Sequence, residues 1–80
     1  MLTDYINGAM HRAQYKILPD DGTFFGNIPG FEGQWSNASS LEAARDDLEE
    51  VLEEWIRFRV SKNLPLPEVD GIKLEFKEAV

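Results

Sequence analysis

The chain has 80 residues, which is enough for one small domain. It has no cysteine, which excludes disulfides and thiolate metal sites. Its 15 acidic residues against 8 basic ones give a formal net charge of -7, which argues against direct binding to nucleic acid. No segment approaches the roughly 18 apolar residues of a membrane span, and the N-terminal MLTDYING lacks the basic start of a signal peptide. We therefore expect a cytoplasmic protein, and a thin core without disulfides favours a homo-oligomer, a dimer or a tetramer.

A short helix is the first predicted element, over about residues 3–11. Thr3 suits the N-cap, Asp4 suits the first turn, and apolar residues then recur at helical spacing as far as Met10.

A β-hairpin is predicted next, over residues 13–29. Tyr15 and Ile17 alternate with polar residues, and the segment LPDDGT after them supplies turn residues. The second strand divides its residues between two faces, with Phe24, Gly26 and Ile28 on one and Thr23, Phe25 and Asn27 on the other. Pro29 ends this strand because it has no N–H for the ladder.

A third strand is predicted from Gln34 to Ser36, around Trp35, after the turn PGFEG. Four of the six glycines lie between residues 20 and 36, which raises the question of a phosphate-binding loop. Such loops place their glycines where a helix opens, and a P-loop adds a lysine there. Here no lysine lies among the glycines and strands surround them, so the pattern favours the turns of a meander.

The longest predicted element is an amphipathic helix over about residues 40–61. Ser39 and Glu42 have the spacing of a capping box, and Ser40 suits the N-cap equally well. One apolar stripe follows at steps of three and four: Leu41, Ala44, Leu48, Val51, Leu52, Trp55 and Ile56. Asn63 and Pro65 mark the end of the helix.

These elements predict an α+β two-layer domain in the order α-β-β-β-α-β, an antiparallel meander packed on one long amphipathic helix. The last strand, about residues 72–76, follows a turn at Asp70–Gly71. We expect a single domain over residues 1–80. The predicted core residues are Ile17, Phe24, Trp35, Leu48 and Trp55. Phe25 lies on the other face of the sheet, which the first helix or a second copy of the chain should cover.

Asp20, Asp21 and His11 are the candidates for acid–base or metal chemistry. Neighbouring aspartates at a hairpin tip diverge and stay solvated, so a turn role is favoured, and a histidine near a helix end favours capping. No nucleophile or third metal ligand stands at a readable spacing. The residues therefore predict no enzyme, cofactor or metal site, and a metal-dependent nuclease built on these three is the least favoured alternative.

The polar face of the long helix carries more acid than solubility requires. Asp46–Glu50 and Glu49–Glu53 are like-charge pairs four residues apart, each costing a few tenths of a kcal/mol. A simply solvated face is the favoured explanation of this pattern, and a cationic partner that offsets the repulsion is the alternative. The candidate partner-binding residues are Asp46, Glu49, Glu50, Glu53 and Phe25.

The order of motifs resembles a known family. Residues 20–33, DDGTFFGNIPGFEG, are similar to the pattern D-G-aromatic-x-small-x-aliphatic-P-x-x-x-G, and residues 40–44, SLEAA, to a T-x-E-E-A helix opening. Together, over about residues 13–60, they resemble the HicB antitoxins, whose N-terminal domain has a partial RNase H-like fold.

The resemblance implies a non-enzymatic antitoxin that binds and neutralises a HicA-like toxin, a small basic protein that cuts mRNA. Asp47, Ala43 and Gln34 depart from common family residues, and no helix-turn-helix or ribbon-helix-helix domain follows the last strand. We therefore expect no direct contact with DNA. The alternative is a homo-oligomeric orphan of structural or regulatory role, without a toxin partner.

Overall fold

The computed structural model describes residues 2–74 and confirms the predicted helix, meander and long helix. The elements in chain order are α1 (Leu2–His11), β1 (Gln14–Ile17), β2 (Phe24–Asn27), β3 (Trp35–Ala38) and α2 (Leu41–Ser61). For these five elements, each predicted boundary lies within two residues of the observed one. Within this part of the chain, no helix is long and apolar enough to cross a membrane.

The three strands form one antiparallel sheet in the order β1-β2-β3. The register aligns Tyr15, Gly26 and Ser36 in one row across the sheet, and the next row contains Phe25. Because side chains alternate between faces, the first row and Phe25 point to opposite sides. The face that carries Gly26 and Ser36 is named the inner face, and the face that carries Phe25 the outer face.

The inner face is covered by α2. Gly26 and Ser36 are buried there, and the Ser36 hydroxyl donates a 2.7 Å hydrogen bond to the Ala44 carbonyl in the first turn of α2. A Cβ on Gly26 would lie 2.8 Å from the Tyr15 ring and 3.0 Å from Ser36 Oγ. Glycine is therefore required at this position by close packing.

The core lies between the two helices, the inner face and the loops that follow β2 and α2. Its largest fully buried side chains are Tyr5, Phe31, Ile28, Leu48, Leu52 and Val69. The predicted core residue Leu48 is confirmed, while Phe24 and Trp55 are half-buried. The predictions for Ile17 and Trp35 are wrong, because their side chains are 62% and 56% exposed.

α1 packs beside α2 and not over the outer face. Tyr5 and Ala9 belong to the same core cluster as α2's apolar stripe, and the Tyr5 hydroxyl donates a 2.6 Å hydrogen bond to the Pro67 carbonyl. Gly8 lies against Val69, which a Cβ would approach to 2.8 Å. Of the two expected covers for the outer face, the first helix is therefore excluded.

Both ends of α2 have a local cause. Ser40, not Ser39, is the N-cap, since its hydroxyl accepts the Ala43 N–H at 3.1 Å. At the other end, α2 stops at Ser61. Asn63, two residues later, has a positive φ of 58°, which a continuing helix does not allow.

Up to residue 74, the tail adds no strand to the sheet. Asp70 and Gly71 form the expected turn, both with positive φ, and an isolated antiparallel bridge joins Val69 to Ile72 across it. Residues 73–74 then have no regular structure. Glu75 and Phe76, the rest of the predicted strand, lie outside the described residues.

Candidate functional site

The first candidate surface is the acidic flank of α2, defined by Asp46, Glu49, Glu50 and Glu53. Asp46 and Glu50 are exposed, whereas Glu49 and Glu53 are half-buried at the side of α2 that faces α1. The four carboxylates thus follow one another along the helix for two turns. Arg45 lies beside Glu49 and Arg57 beside Glu53, so the flank carries an excess of negative charge that these two cations interrupt.

Glu49 is held in a polar cleft between the helices and β1. The cleft has a volume of about 440 Å³, and Glu49 shares its lining with Tyr15, Arg45 and His11. Burial raises the pKa of the Tyr15 hydroxyl above its ordinary value; the Arg45 charge lowers it and the Glu49 charge raises it further. The Glu49 carboxylate therefore lies close enough to the Tyr15 hydroxyl to affect its pKa.

Glu53 lies on the rim of an apolar cavity between α1 and α2. The cavity, of about 390 Å³, is lined chiefly by Leu2, Ile6, Ile56 and Val60. A strip that combines carboxylates with an adjacent apolar recess can bind a partner by charge and by shape.

The second candidate surface is the aromatic patch on the outer face, defined by Lys16, Phe25 and Trp35. The Phe25 and Trp35 rings stack with centroids 6.0 Å apart and an interplanar angle of 17°. Lys16 lies on β1, the other neighbour of β2, and its Nζ is 5.4 Å from the centroid of the Phe25 ring. An exposed tryptophan on an uncovered sheet face is typical of a surface that another molecule contacts.

The structure does not bring the five predicted partner-binding residues together. Asp46, Glu49, Glu50 and Glu53 lie on α2, which covers the inner face, and Phe25 lies on the outer face. They belong to two surfaces separated by the sheet. Sequence reasoning did not include Trp35 and Lys16 in this surface. The strand register identifies it: Trp35 pairs with Asn27, the neighbour of buried Gly26, and therefore lies on the opposite face of the sheet.

The alternative site at Asp20, Asp21 and His11 is not assembled. Asp21 Oδ1 accepts the Thr23 N–H at 3.0 Å and the Thr23 hydroxyl at 2.6 Å, which closes the hairpin turn. These two hydrogen bonds lower the pKa of the Asp21 carboxyl below its ordinary value.

His11 lies at the far end of β1 from that turn, in the last turn of α1, with its Nδ1 3.1 Å from the Asn7 carbonyl. The four residues of β1 separate the two positions by about 13 Å. Over residues 2–74 there is no group of three or more His, Asp or Glu side chains placed to hold a metal ion.

The fold defines a class of small α+β proteins in which one long helix covers one face of a three-stranded antiparallel meander. The chain belongs to the UPF0150-like family, a HicB-like family whose model matches residues 4–67. This confirms the resemblance drawn from the sequence.

A solved structure of the same shape supports the assignment. The crystal structure of TTHA0281 from Thermus thermophilus superimposes with a TM-score of 0.86 and 29% sequence identity. The similarity covers 96% of this chain and 95% of that one, so it extends over both helices and the sheet.

Proposed function

We propose that this chain is a HicB-like antitoxin, a non-enzymatic protein that binds and neutralises a small basic HicA-type toxin. Family membership supports the proposal, and the observation that carries it is the acidic flank of α2. Residues 1–80 would act as one domain, in the cytoplasm, where mRNA is cleaved.

The electrostatics of the flank suit a basic partner. Seven of the 21 residues of α2 are acidic: Glu42, Asp46, Asp47, Glu49, Glu50, Glu53 and Glu54. The chain as a whole carries a net charge of -7. A basic surface that binds RNA would be drawn to this field, and complementary charges raise the association rate and the specificity.

The neutralisation requires coverage and no chemistry. Occupying the toxin's basic surface would prevent RNA from reaching it, because RNA and the acidic flank compete for the same positive charges. Phe25, on the opposite side of the sheet, is available to a second contact of the same partner or to another molecule.

A growth test with matched charge reversals examines the proposal. The test variant is Asp46→Lys with Glu53→Lys, and the control is Asp47→Lys with Glu54→Lys. Both pairs are seven residues apart and change the net charge equally, but one residue rotates the pair by about 100° around the helix. Each variant is co-expressed with the product of the adjacent small basic reading frame, and its melting temperature is recorded.

The proposal predicts that the unaltered chain and the control restore growth, while the Asp46/Glu53 variant does not. Equal rescue by both variants would show that the acidic flank is not the contact. A neighbouring product that neither co-purifies with the chain nor inhibits growth would remove the toxin partner altogether.

A homo-oligomeric orphan protein of structural or regulatory role is the second candidate. The observation that favours it is the outer face, which the described residues leave uncovered and where Trp35 is 56% exposed beside Phe25. Light scattering that shows a monomer even at about 500 μM would exclude it.

A further inference from the structure

The free edge of the sheet at β3 has a defined set of unpaired backbone groups. The Leu18 N–H donates to the Thr23 carbonyl at 2.8 Å, so residues 18 and 23 occupy the position of a hydrogen-bonded pair in the β1–β2 ladder, while the Thr23 N–H itself donates to Asp21. Because such pairs alternate, Phe25 bonds to β1, whereas Phe24 and Gly26 bond to β3.

The alternation then fixes β3. Ser36 and Ala38, the partners of Gly26 and Phe24, direct their N–H and C=O groups toward β2. Trp35 and Asn37 direct theirs away from the sheet. Within the described part of the chain, no strand pairs with this side of β3.

Apart from its short length of four residues, β3 has none of the features that discourage pairing with another strand. Edge strands commonly carry a lysine, a proline or a bulge that discourages another strand. β1, the opposite edge, carries Lys16, whereas β3 reads WSNA and is followed by Ser39 and Ser40. No charged residue lies between Glu32 and Glu42, so this edge has no charge to oppose a second strand.

We propose that β3 pairs with β3 of a second copy of the chain, in antiparallel register about a two-fold axis at Ser36. In this register Trp35 of each copy faces Asn37 of the partner. Both residues direct their backbone groups outward, so two hydrogen-bonded pairs form, with four N–H···O=C bonds. The product is a six-stranded sheet in the order β1-β2-β3-β3-β2-β1.

The same register covers the aromatic patch in part. Directly opposed residues in an antiparallel pair share a face, so each Trp35 ring lies beside the partner's Asn37 on the outer face. The stacked Phe25–Trp35 pairs of both copies then join into one aromatic strip. An exposed tryptophan near the centre of an interface is the residue type that contributes most to binding.

Charge favours a second copy of the chain over a basic toxin as the molecule that pairs with the β3 edge. The β3 edge has no carboxylate to attract a cationic protein, while the acidic flank of α2 offers at least four. Two copies of net charge -7 repel each other, and α2 lies over β2 and β3, so pairing brings two acidic helices closer. Salt screens that repulsion, and the dimer should therefore tighten as salt rises.

The inference deepens the second candidate function, since it names the interface of the oligomer, and it is compatible with toxin binding. Its failure is distinguishable from failure of the toxin proposal. A variant that is monomeric and still restores growth in the co-expression test would leave toxin binding intact.

Sedimentation velocity of the full chain, from 1 to about 200 μM, tests the interface. The test variant Trp35→Lys and the control Gln14→Lys each add one positive charge to the same row of the outer face, at opposite edges of the sheet. We expect a dimer for the unaltered chain and for the control, and a dissociation constant at least about tenfold higher for Trp35→Lys.

Asn37→Pro, with Ile17→Pro as its control, provides a second pair of variants. In each the lost N–H points away from β2, so the sheet keeps its backbone hydrogen bonds. Asn37→Pro also removes the hydrogen bonds that the Asn37 amide donates to the Thr23 hydroxyl and the Phe24 carbonyl, so Asn37→Ala, which loses the same two bonds but keeps the N–H, is measured beside it and should stay dimeric. Asn37→Pro should be monomeric and Ile17→Pro dimeric.

A monomer at all concentrations for the unaltered chain would overturn the inference, as would pairing of β3 with the chain's own residues 75–80. A dimer that folded Trp35→Lys and Asn37→Pro variants leave unchanged would also overturn it.

Discussion

The two faces of the sheet are built from the same twelve strand residues and have opposite environments. On the inner face, Gly26 and Ser36 are buried under α2, and the one buried hydroxyl has a hydrogen-bond partner. On the outer face, Phe25 and Trp35 stack on each other beside Lys16, and no helix or strand of residues 2–74 lies above them. The inner face stabilises the fold, and the outer face and its free edge are available for association.

The largest contrast is expected between Leu48→Ala and Trp35→Ala. Leu48 is fully buried against the inner face, so removing its side chain leaves a cavity and should lower the free energy of unfolding by about 2–5 kcal/mol. Trp35 is more than half exposed, and its loss should cost under about 1 kcal/mol in a dilute monomer. Urea unfolding at micromolar concentration measures both, and equal losses would show that the two faces are not different.

A smaller effect is expected for an added methyl group on the inner face. Gly26→Ala would place Cβ 2.8 Å from the Tyr15 ring, so something must shift, at a cost of about 1–3 kcal/mol. Asn27→Ala, the next residue and on the outer face, is the control and should change stability by less. A neutral Gly26→Ala in the same unfolding assay would mean that the Tyr15 and Ser36 side chains move aside at no cost.

The hydrogen bond between the sheet and α2 should contribute about 1 kcal/mol. Ser36→Ala removes the hydroxyl that donates to the Ala44 carbonyl while keeping the side chain small. The thermal midpoint should fall by a few degrees, since about 1 kcal/mol shifts a domain of this size by roughly 4–8 °C. An unchanged midpoint would indicate that water replaces the hydroxyl at no cost.

The smallest effect is expected at the hairpin turn between β1 and β2. Hydrogen bonds from Thr23 lower the pKa of Asp21 below its ordinary value of 3.8, so the ionised carboxyl stabilises the folded state above that pH. The stabilisation is lost as the pH falls through the lowered pKa.

Carbon-13 NMR titration of the Asp21 carboxyl should give a midpoint below 3.8 and move it upward in Thr23→Val, which keeps the N–H but lacks the hydroxyl. An unshifted midpoint in the variant would assign the effect to the backbone.

Local patterns predicted the elements because their causes are local. The period of two around Tyr15, the Ser40 cap and the turn at Asp70–Gly71 each depend on neighbours in sequence, and all three are confirmed. Ile17 and Trp35 were assigned to the core by their size, and burial is decided instead by register and by where α2 lies. A strand that alternates does not reveal which of its faces is covered.

Phe31 is a core residue that local sequence patterns did not predict. It lies in a turn segment rich in glycine, yet it is fully buried between Tyr5 and Trp55, with ring centroids 6.3 and 5.2 Å away. The candidate site divides likewise: charge counting found the acidic flank of α2, but it could not separate that flank from Phe25, because the sheet between them is a tertiary feature.

Amide hydrogen exchange along β3 tests the difference between the two sides of this strand most directly. The Ser36 and Ala38 N–H groups bond to β2 and should be protected equally at about 5 μM and about 500 μM, whereas those of Trp35 and Asn37 should gain protection only at the higher concentration, as expected for a weak dimer. Trp35 and Asn37 amides that exchange equally fast at both concentrations would contradict the account.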